Sequence, residues 1–294
     1  MPRLAVVGGG WAGMAAAVLA TRAGHRVTVL EAAPAPGGRA RAAELHPGGG
    51  ASLRVDNGQH ILIGAYAQSL ALMRLVGVDP NTALLRLPLA LRFPDGGGIA
   101  LPDAAAPLDA LLGIAGARGW PLAHKLRLLA TATGWQLRGF RCAPETSVAQ
   151  LCAGLPASVI DGLIDPLCVS ALNTPAHEAS GQVFLRVLRD ALFGARGGSN
   201  LLLPRVDLGA LFPEAAAQWL QAHGGAVHTG RRVQTLAATA TGWSVDDEAF
   251  DQVVLAAPSW EAARLVRALP GDAAAHWADT ADALRFEAIA TVYA

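Results

Sequence analysis

The chain opens with a short continuous apolar run at residues 4–7 (Leu-Ala-Val-Val), then a glycine cluster, then an alanine-rich helix-forming run at 14–20. A second apolar run, Val-Thr-Val-Leu, occupies 27–30. Short apolar runs bounded by turn signals suit strands buried on both faces of a parallel sheet, so the pattern predicts a β-α-β unit over about residues 3–31. Between about residues 70 and 200 the pattern changes to long apolar helical periodicities broken by prolines and glycines, which predicts an inserted, mostly helical domain. Alternating α/β patterning then returns. Residues 208–223 read as one amphipathic helix ending at Gly224 and Gly225, and 226–233 as a strand and turn. Residues 241–245 read as a hairpin limb turning at Asp246 and Asp247, and 250–258 as a buried strand. The final residues, 289–294, read as an apolar, strand-like run.

The glycine cluster carries the first chemistry. Residues 8–13 read Gly-Gly-Gly-Trp-Ala-Gly, and Glu31 stands at the end of the second apolar run. A G-x-G-x-x-G alone is a weak signal, but here it follows a strand, opens a helix and precedes a second strand that ends on an acid. Gly8 permits the tight turn, Gly10 lets the backbone approach a pyrophosphate, and Gly13 lets the helix pack on the strands. The amides of Trp11, Ala12 and Gly13 at the helix N-terminus attract the anion, and Glu31 accepts hydroxyls of the adenosine ribose. A dinucleotide site follows, with NAD and FAD both open at this point.

Bulk properties narrow the class. At 294 residues with no net charge, the chain is long enough for two domains and carries no basic run of the kind that binds nucleic acid. Hydrophobic residues make up 52% and charged ones 16%, which suits a protein that handles an apolar ligand or touches a membrane. No apolar stretch reaches the roughly eighteen residues of a membrane span. Three cysteines without a C-x-x-C pair fit a reducing cytoplasm, and the eight scattered histidines show no metal-ligand spacing.

Four further stretches carry a family resemblance. Pro36-Gly37-Gly38-Arg39-Ala40-Arg41 directly follows the ribose-binding acid and resembles the G-G-R motif of the FAD-dependent amine oxidase and phytoene desaturase superfamily. Residues 56–66, Asp-Asn-Gly-Gln-His-Ile-Leu-Ile-Gly-Ala-Tyr, together with 166–175 and 198–208, resemble the squalene-associated FAD-dependent desaturases, a family of hydroxysqualene dehydroxylases. The resemblance implies a Rossmann-like α/β FAD-binding domain of the amine oxidase type, with an inserted mostly helical α+β substrate domain. The FAD-binding domain is expected over 1–70 and 200–260, the substrate domain over 71–199 and 261–294. It further implies that Gly37, Gly38, Arg39 and Arg41 lie along the flavin diphosphate and ribityl chain. Gly58 and Gln59 would lie near the flavin ring, and Val233 would meet the adenine through its backbone. The family's closing Gly-rich strand and helix has no counterpart in the sequence, so a chain lacking roughly a quarter to a third of the family length is expected.

The implied reaction is reductive removal of the hydroxyl of hydroxysqualene by a cytoplasmic enzyme, peripheral on the inner face of the membrane. It needs a proton donor for the leaving oxygen and a dry apolar pocket. Asp56 and His60 are the candidate donors, although a turn role for Asp56 and an interior hydrogen bond for His60 also fit. Asp165 and Asn173 either face substrate or cap a helix, and Cys168 reads as a small hydrophobe. Residues 120–141 mix Trp, Leu and Arg in a way that suits a membrane interface or, more simply, packing on the domain core. Two other readings stay open: a phytoene-type carotenoid desaturase, and a non-catalytic FAD-fold lipid carrier. An amine oxidase is disfavoured because aromatic residues are only 5% of the chain, too few for an amine cage.

Overall fold

The computed structural model describes residues 1–46, 50–58, 60–286 and 288–293. The chain divides into two units. The first comprises Met1–His60, Gln68–Leu84 and Pro204–Ala294; the second comprises Ile61–Ala67 and Leu85–Leu203.

The first unit is built on the expected β-α-β element: β1 (Arg3–Val7), α1 (Trp11–Arg22) and β2 (Arg26–Leu30). β1 pairs in parallel with β2 on one side and with the strand Gln252–Leu255 on the other, and the strand Ala226–His228 adds to the far edge of β2. Both faces of this sheet are covered, which is why its strands read as continuous apolar runs rather than alternating ones. Ala5, Val6 and Val29 are completely buried. α1 contributes Gly13, Met14, Ala17 and Val18 to one face. The other face shares a core with Val233, Leu236, Val245, Phe250 and Leu265.

A three-stranded antiparallel sheet (Leu236–Ala238, Trp243–Val245, Glu248–Phe250) contains the expected hairpin. Its turn residues Asp246 and Asp247 both have positive φ (47° and 67°), the left-handed geometry a two-residue hairpin demands. A second hairpin joins β3 (Ala42–Leu45) to β4 (Leu53–Asp56).

Three expectations need correction. Residues 208–223 form two helices, Leu208–Leu211 and Pro213–Ala222, because Pro213 drives Phe212 out of helical geometry (φ −152°). Residues beyond 260 join the first unit instead of the helical one: Leu265 enters the sheet's core, and Ala263 packs against Ala278 and Ala281 of the next helix. Residues 289–293 are exposed and form no strand.

The second unit is mostly helical, with a small three-stranded sheet formed by Leu62–Ile63, Leu201–Pro204 and Leu84–Leu87. Its core gathers Trp120, Leu128, Trp135, Phe140, Phe184 and Leu185. Asp165 lies inside a continuous helical run, where the π-helical turn Ile160–Ile164 passes into the helix Asp165–Leu172, and caps no helix end; Asn173 ends that helix in left-handed geometry (φ 51°). Cys168 is buried and its thiol is pushed up by desolvation; burial likewise pushes Cys152 up to about 12. Neither is a nucleophile in this setting.

Gly13 sets how closely α1 approaches the turn after β1. A Cβ there would overlap the carbonyl oxygen of Gly8 and stand 3.2 Å from the Ala256 methyl. Gly13→Ala is therefore expected to cost more than about 3 kcal/mol in thermal or urea unfolding, since the backbone itself must move to make room.

Candidate functional site

Three loops of the first unit converge at the C-terminal ends of β1 and β2. The first is the turn at residues 8–13. Gly8 has φ +107°, and a Cβ on it would stand 2.7 Å from the carbonyl oxygen of Ala256, so this turn admits only glycine. Gly10 is the N-cap of α1, which has neither a side-chain cap nor an acid in its first turn. The first helical bond runs from Met14 N–H to the Gly10 carbonyl (2.9 Å), so the helix itself does not use the amides of Trp11, Ala12 and Gly13. They are available to an anion.

Glu31, at the end of β2, is buried. Its Oε2 accepts from Gly9 N–H (2.5 Å) and its Oε1 from Ala33 N–H (2.6 Å). Each carboxylate oxygen retains a lone pair for a hydroxyl donor. The adjoining backbone is fixed as well: Glu31 N–H donates to His228 O (2.8 Å), and Arg231 N–H donates to Glu31 O (2.8 Å).

The second loop, residues 36–41, packs backbone to backbone on the first. Gly37 N–H donates to Gly9 O (2.8 Å), and Gly38, in left-handed geometry, lies so close that a Cβ would stand 3.1 Å from Gly10 Cα. Trp11 Nε1 donates to Ala40 O (2.9 Å), and the Trp11 ring packs on Phe212 (centroids 5.2 Å apart). The loop's carbonyls are tied down while the guanidinium groups of Arg39 and Arg41 form no ion pair among the described residues. Two free cations and an open helix N-terminus thus share one loop pair.

The third loop follows β4. Asn57 N–H donates to Arg41 O (2.8 Å) and Asn57 Nδ2 to Arg39 O (3.0 Å), which fastens it to the second loop. Asp56 is half-buried, and its Oδ1 accepts from Leu208 N–H (2.8 Å) at the start of the helix Leu208–Leu211. Tyr293 donates its hydroxyl proton to Asp56 O. Gly58 has φ +85°. His60 is exposed, with Nδ1 2.9 Å from Gly58 O; because a carbonyl only accepts, Nδ1 carries a proton and Nε2 is the free position. Gln59 lies outside the described residues.

Val233 is buried beside Leu30, and its carbonyl accepts from Arg264 Nη2 (2.7 Å). What Val233 offers a ligand is then its N–H.

Several supporting residues escaped the sequence reading. Arg54 on β4 bonds Asp207 through Nε and Nη2 (both 2.9 Å) and reaches Glu214 (2.7 Å). Asp207 also caps its helix by accepting from Ala210 N–H (3.0 Å). Arg54, together with the helix amides, holds the Asp207 carboxyl below the ordinary carboxylate range. The partners stand 153 positions apart, so no local pattern announces the pair. Only Asp207 carried a sequence signal, as an N-cap before an apolar helix.

The sequence profile described as flavin containing amine oxidoreductase matches residues 11–292. The chain is similar to hydroxysqualene dehydroxylases from Rhodopseudomonas palustris (29% identical, 90% of this chain) and Zymomonas mobilis (26%, 89%), and spans 63% of the length of each. It is also similar to hydroxyneurosporene desaturase of Rhodobacter capsulatus, at 40% identity over 38% of this chain and 22% of that one. Among solved structures, an oxidoreductase from Methanosarcina mazei superposes with a TM-score of 0.67 at 18% identity, covering 96% of this chain and 65% of that one. At such identity the likeness speaks for the fold.

The Arg54–Asp207 pair has a checkable pH signature. A depressed carboxyl contributes stability that is present above its unfolded value of about 3.9 and is lost as pH falls through the lower folded value. Arg54→Gln should lower stability at pH 7 by about 0.5–1 kcal/mol, given the partial exposure of both partners. In urea unfolding, the gap from the unsubstituted protein should close as pH falls through the lowered folded value of Asp207.

Proposed function

Since the chain belongs to the flavin containing amine oxidoreductase family, we propose that the protein is an FAD-dependent enzyme that removes the hydroxyl of hydroxysqualene to give squalene. The observation that carries this choice is the extent of similarity. The curated dehydroxylases align along about 90% of this chain, whereas the hydroxyneurosporene desaturase aligns along 38%.

The residues fit FAD. The open amides of α1 and the free guanidiniums of Arg39 and Arg41 suit a diphosphate, which carries more charge than one helix terminus balances. Glu31 suits the ribose hydroxyls, and the N–H of Val233 suits a nitrogen of the adenine edge. Gly10 leaves the space the cofactor needs: a Cβ there would meet nothing nearer than Gly38 Cα at 3.7 Å, so the protein alone does not demand glycine at this position. Gly37, Gly38 and Gly58 line the same loop cluster.

When bound and reduced, the flavin supplies a hydride equivalent to an allylic carbon. The chain's residues must see that the C–O bond breaks with the oxygen leaving as water, which takes one proton. His60 is the proposed donor, because Gly58 O fixes its Nδ1 proton and leaves Nε2 to carry the second. Asp56 is the proposed positioning residue: its carboxylate is committed to Leu208 N–H and holds the Asn57–Gly58 turn in place. The apolar helical unit suits a hydrocarbon substrate, and contact with the surface of a membrane would bring that substrate within reach.

Incubation with FAD, a reductant and hydroxysqualene, followed by product analysis, tests the reading. Squalene is expected; its absence together with conversion of a polyene such as phytoene under oxidising conditions would replace it with a desaturase. Gly10→Ala should change stability by no more than about 1 kcal/mol yet weaken FAD binding by roughly tenfold or more, read by flavin fluorescence. His60→Gln should lower turnover by about 10²-fold or more, with FAD affinity unchanged.

A further inference from the structure

We propose that the helix Leu122–Leu137 of the second unit is an interfacial anchor that lies on an anionic lipid bilayer. At 100° per residue, Leu122, Leu126, Ala130, Thr133 and Leu137 fall within one narrow stripe, and all five are exposed. Leu122 is 71%, Leu126 57% and Leu137 83% exposed. The opposite face is spent on the core through Leu128 and Trp135, so this stripe is not surplus core surface. Its neighbour, the helix Leu108–Gly116, also exposes Leu108, Leu111 and Leu112, which share one of its faces. Lys125 Nζ donates to Ala115 O (2.7 Å) and ties the two helices together.

Charge selects the occupant. On the helical wheel Lys125 flanks the leucine stripe on one side, and Arg127 and Arg138 flank it on the other. From residue 110 to 144 there are five basic residues (Arg118, Lys125, Arg127, Arg138, Arg141) and no Asp or Glu. None of the five forms an ion pair among the described residues; Lys125 and Arg127 meet neutral carbonyls. A protein partner burying this face would have to bring carboxylates to match each cation. An anionic membrane surface supplies them as headgroups at the level to which lysine and arginine reach, with acyl chains below for the leucines. Trp120 and Trp135 are buried in the core and do not anchor; the leucines do that. No helix among the described residues is long and apolar enough to cross a membrane, so contact here is lateral.

The inference deepens the isoprenoid reading above but is measured without an isoprenoid, so either can fail alone. The full 294-residue chain is sedimented with vesicles of phosphatidylcholine alone or with 30 mol% phosphatidylglycerol. Binding is expected to the anionic vesicles, weak on the neutral ones, and released as salt rises from 0.05 to 0.5 M. Lys125→Gln, Arg127→Gln and Arg138→Gln should each lower binding by roughly fivefold, the value of one basic residue near the surface. Leu122→Asp with Leu126→Asp should lower it by roughly tenfold or more, with near-ultraviolet circular dichroism unchanged. Leu45→Gln, an exposed leucine of the other unit, should leave it intact. If the Asp pair does not fold, Leu122→Gln with Leu126→Gln takes its place. No anionic-vesicle binding, binding that ignores these substitutions, or a dimer in sedimentation velocity that the leucine pair abolishes would overturn the proposal.

Discussion

Everything at the candidate site depends on how closely bare backbone can approach bare backbone. The turn after β1 and the loop at 36–41 touch through Gly9 and Gly37, joined by a 2.8 Å hydrogen bond, and through Gly10 and Gly38, where no Cβ intervenes. α1 in turn sits directly on the Gly8 carbonyl because Gly13 has no side chain. Gly38 is the tight point: a Cβ there would crowd Gly10 Cα at 3.1 Å and press the two loops apart. The positive helix terminus and the loop that carries the two free arginines meet where these backbones touch. As built, they converge on a single region, which is what a diphosphate needs and what a lone helix N-terminus does not provide.

Charge is placed with the same economy. Glu31 is a buried acid close to this electropositive region, and it is held by the amides of Gly9 and Ala33 instead of by a basic side chain. An arginine partner would have cancelled the cation that the phosphates require. Backbone donors satisfy the carboxylate oxygens and leave Arg39 and Arg41 uncommitted. Their loop is held through carbonyl groups, by Trp11 and Asn57, so fastening it consumes none of its charge.

How much of this was legible in the sequence follows from the range of each interaction. The β-α-β unit, the hairpin turn at Asp246 and Asp247, and the glycine positions are local effects of buried runs, positive φ and turn chemistry, and the linear pattern carried them. The break at Phe212 was also local but was missed, because the apolar periodicity through 208–223 outweighed one proline in the reading. The Arg54–Asp207 pair, the Asp56 bond to Leu208 N–H and the Arg264 bond to the Val233 carbonyl join positions far apart in the chain. A single sequence holds no signal for such partners. The placement of residues beyond 260 failed for a related reason: the alanines that join the two final helices look like any helix-forming residues until their partner helix is known.

The two units also account differently for the apolar composition. In the first, hydrophobic residues cover both faces of a parallel sheet, and what remains for chemistry is largely backbone, with a few charged side chains around it. In the second, the core takes Leu128 and Trp135 of the helix Leu122–Leu137, yet the same helix leaves a second set of leucines in solvent. A helix with apolar residues on both faces is costly to keep in water, since each exposed leucine forgoes roughly 1.5–3 kcal/mol of burial. Folding of this unit does not require that second face, because the first already fills the core. The basic residues bordering it leave the leucines uncovered. On the proposal above, this helix answers two demands, packing inward and contact outward, and the described residues meet only the inward one.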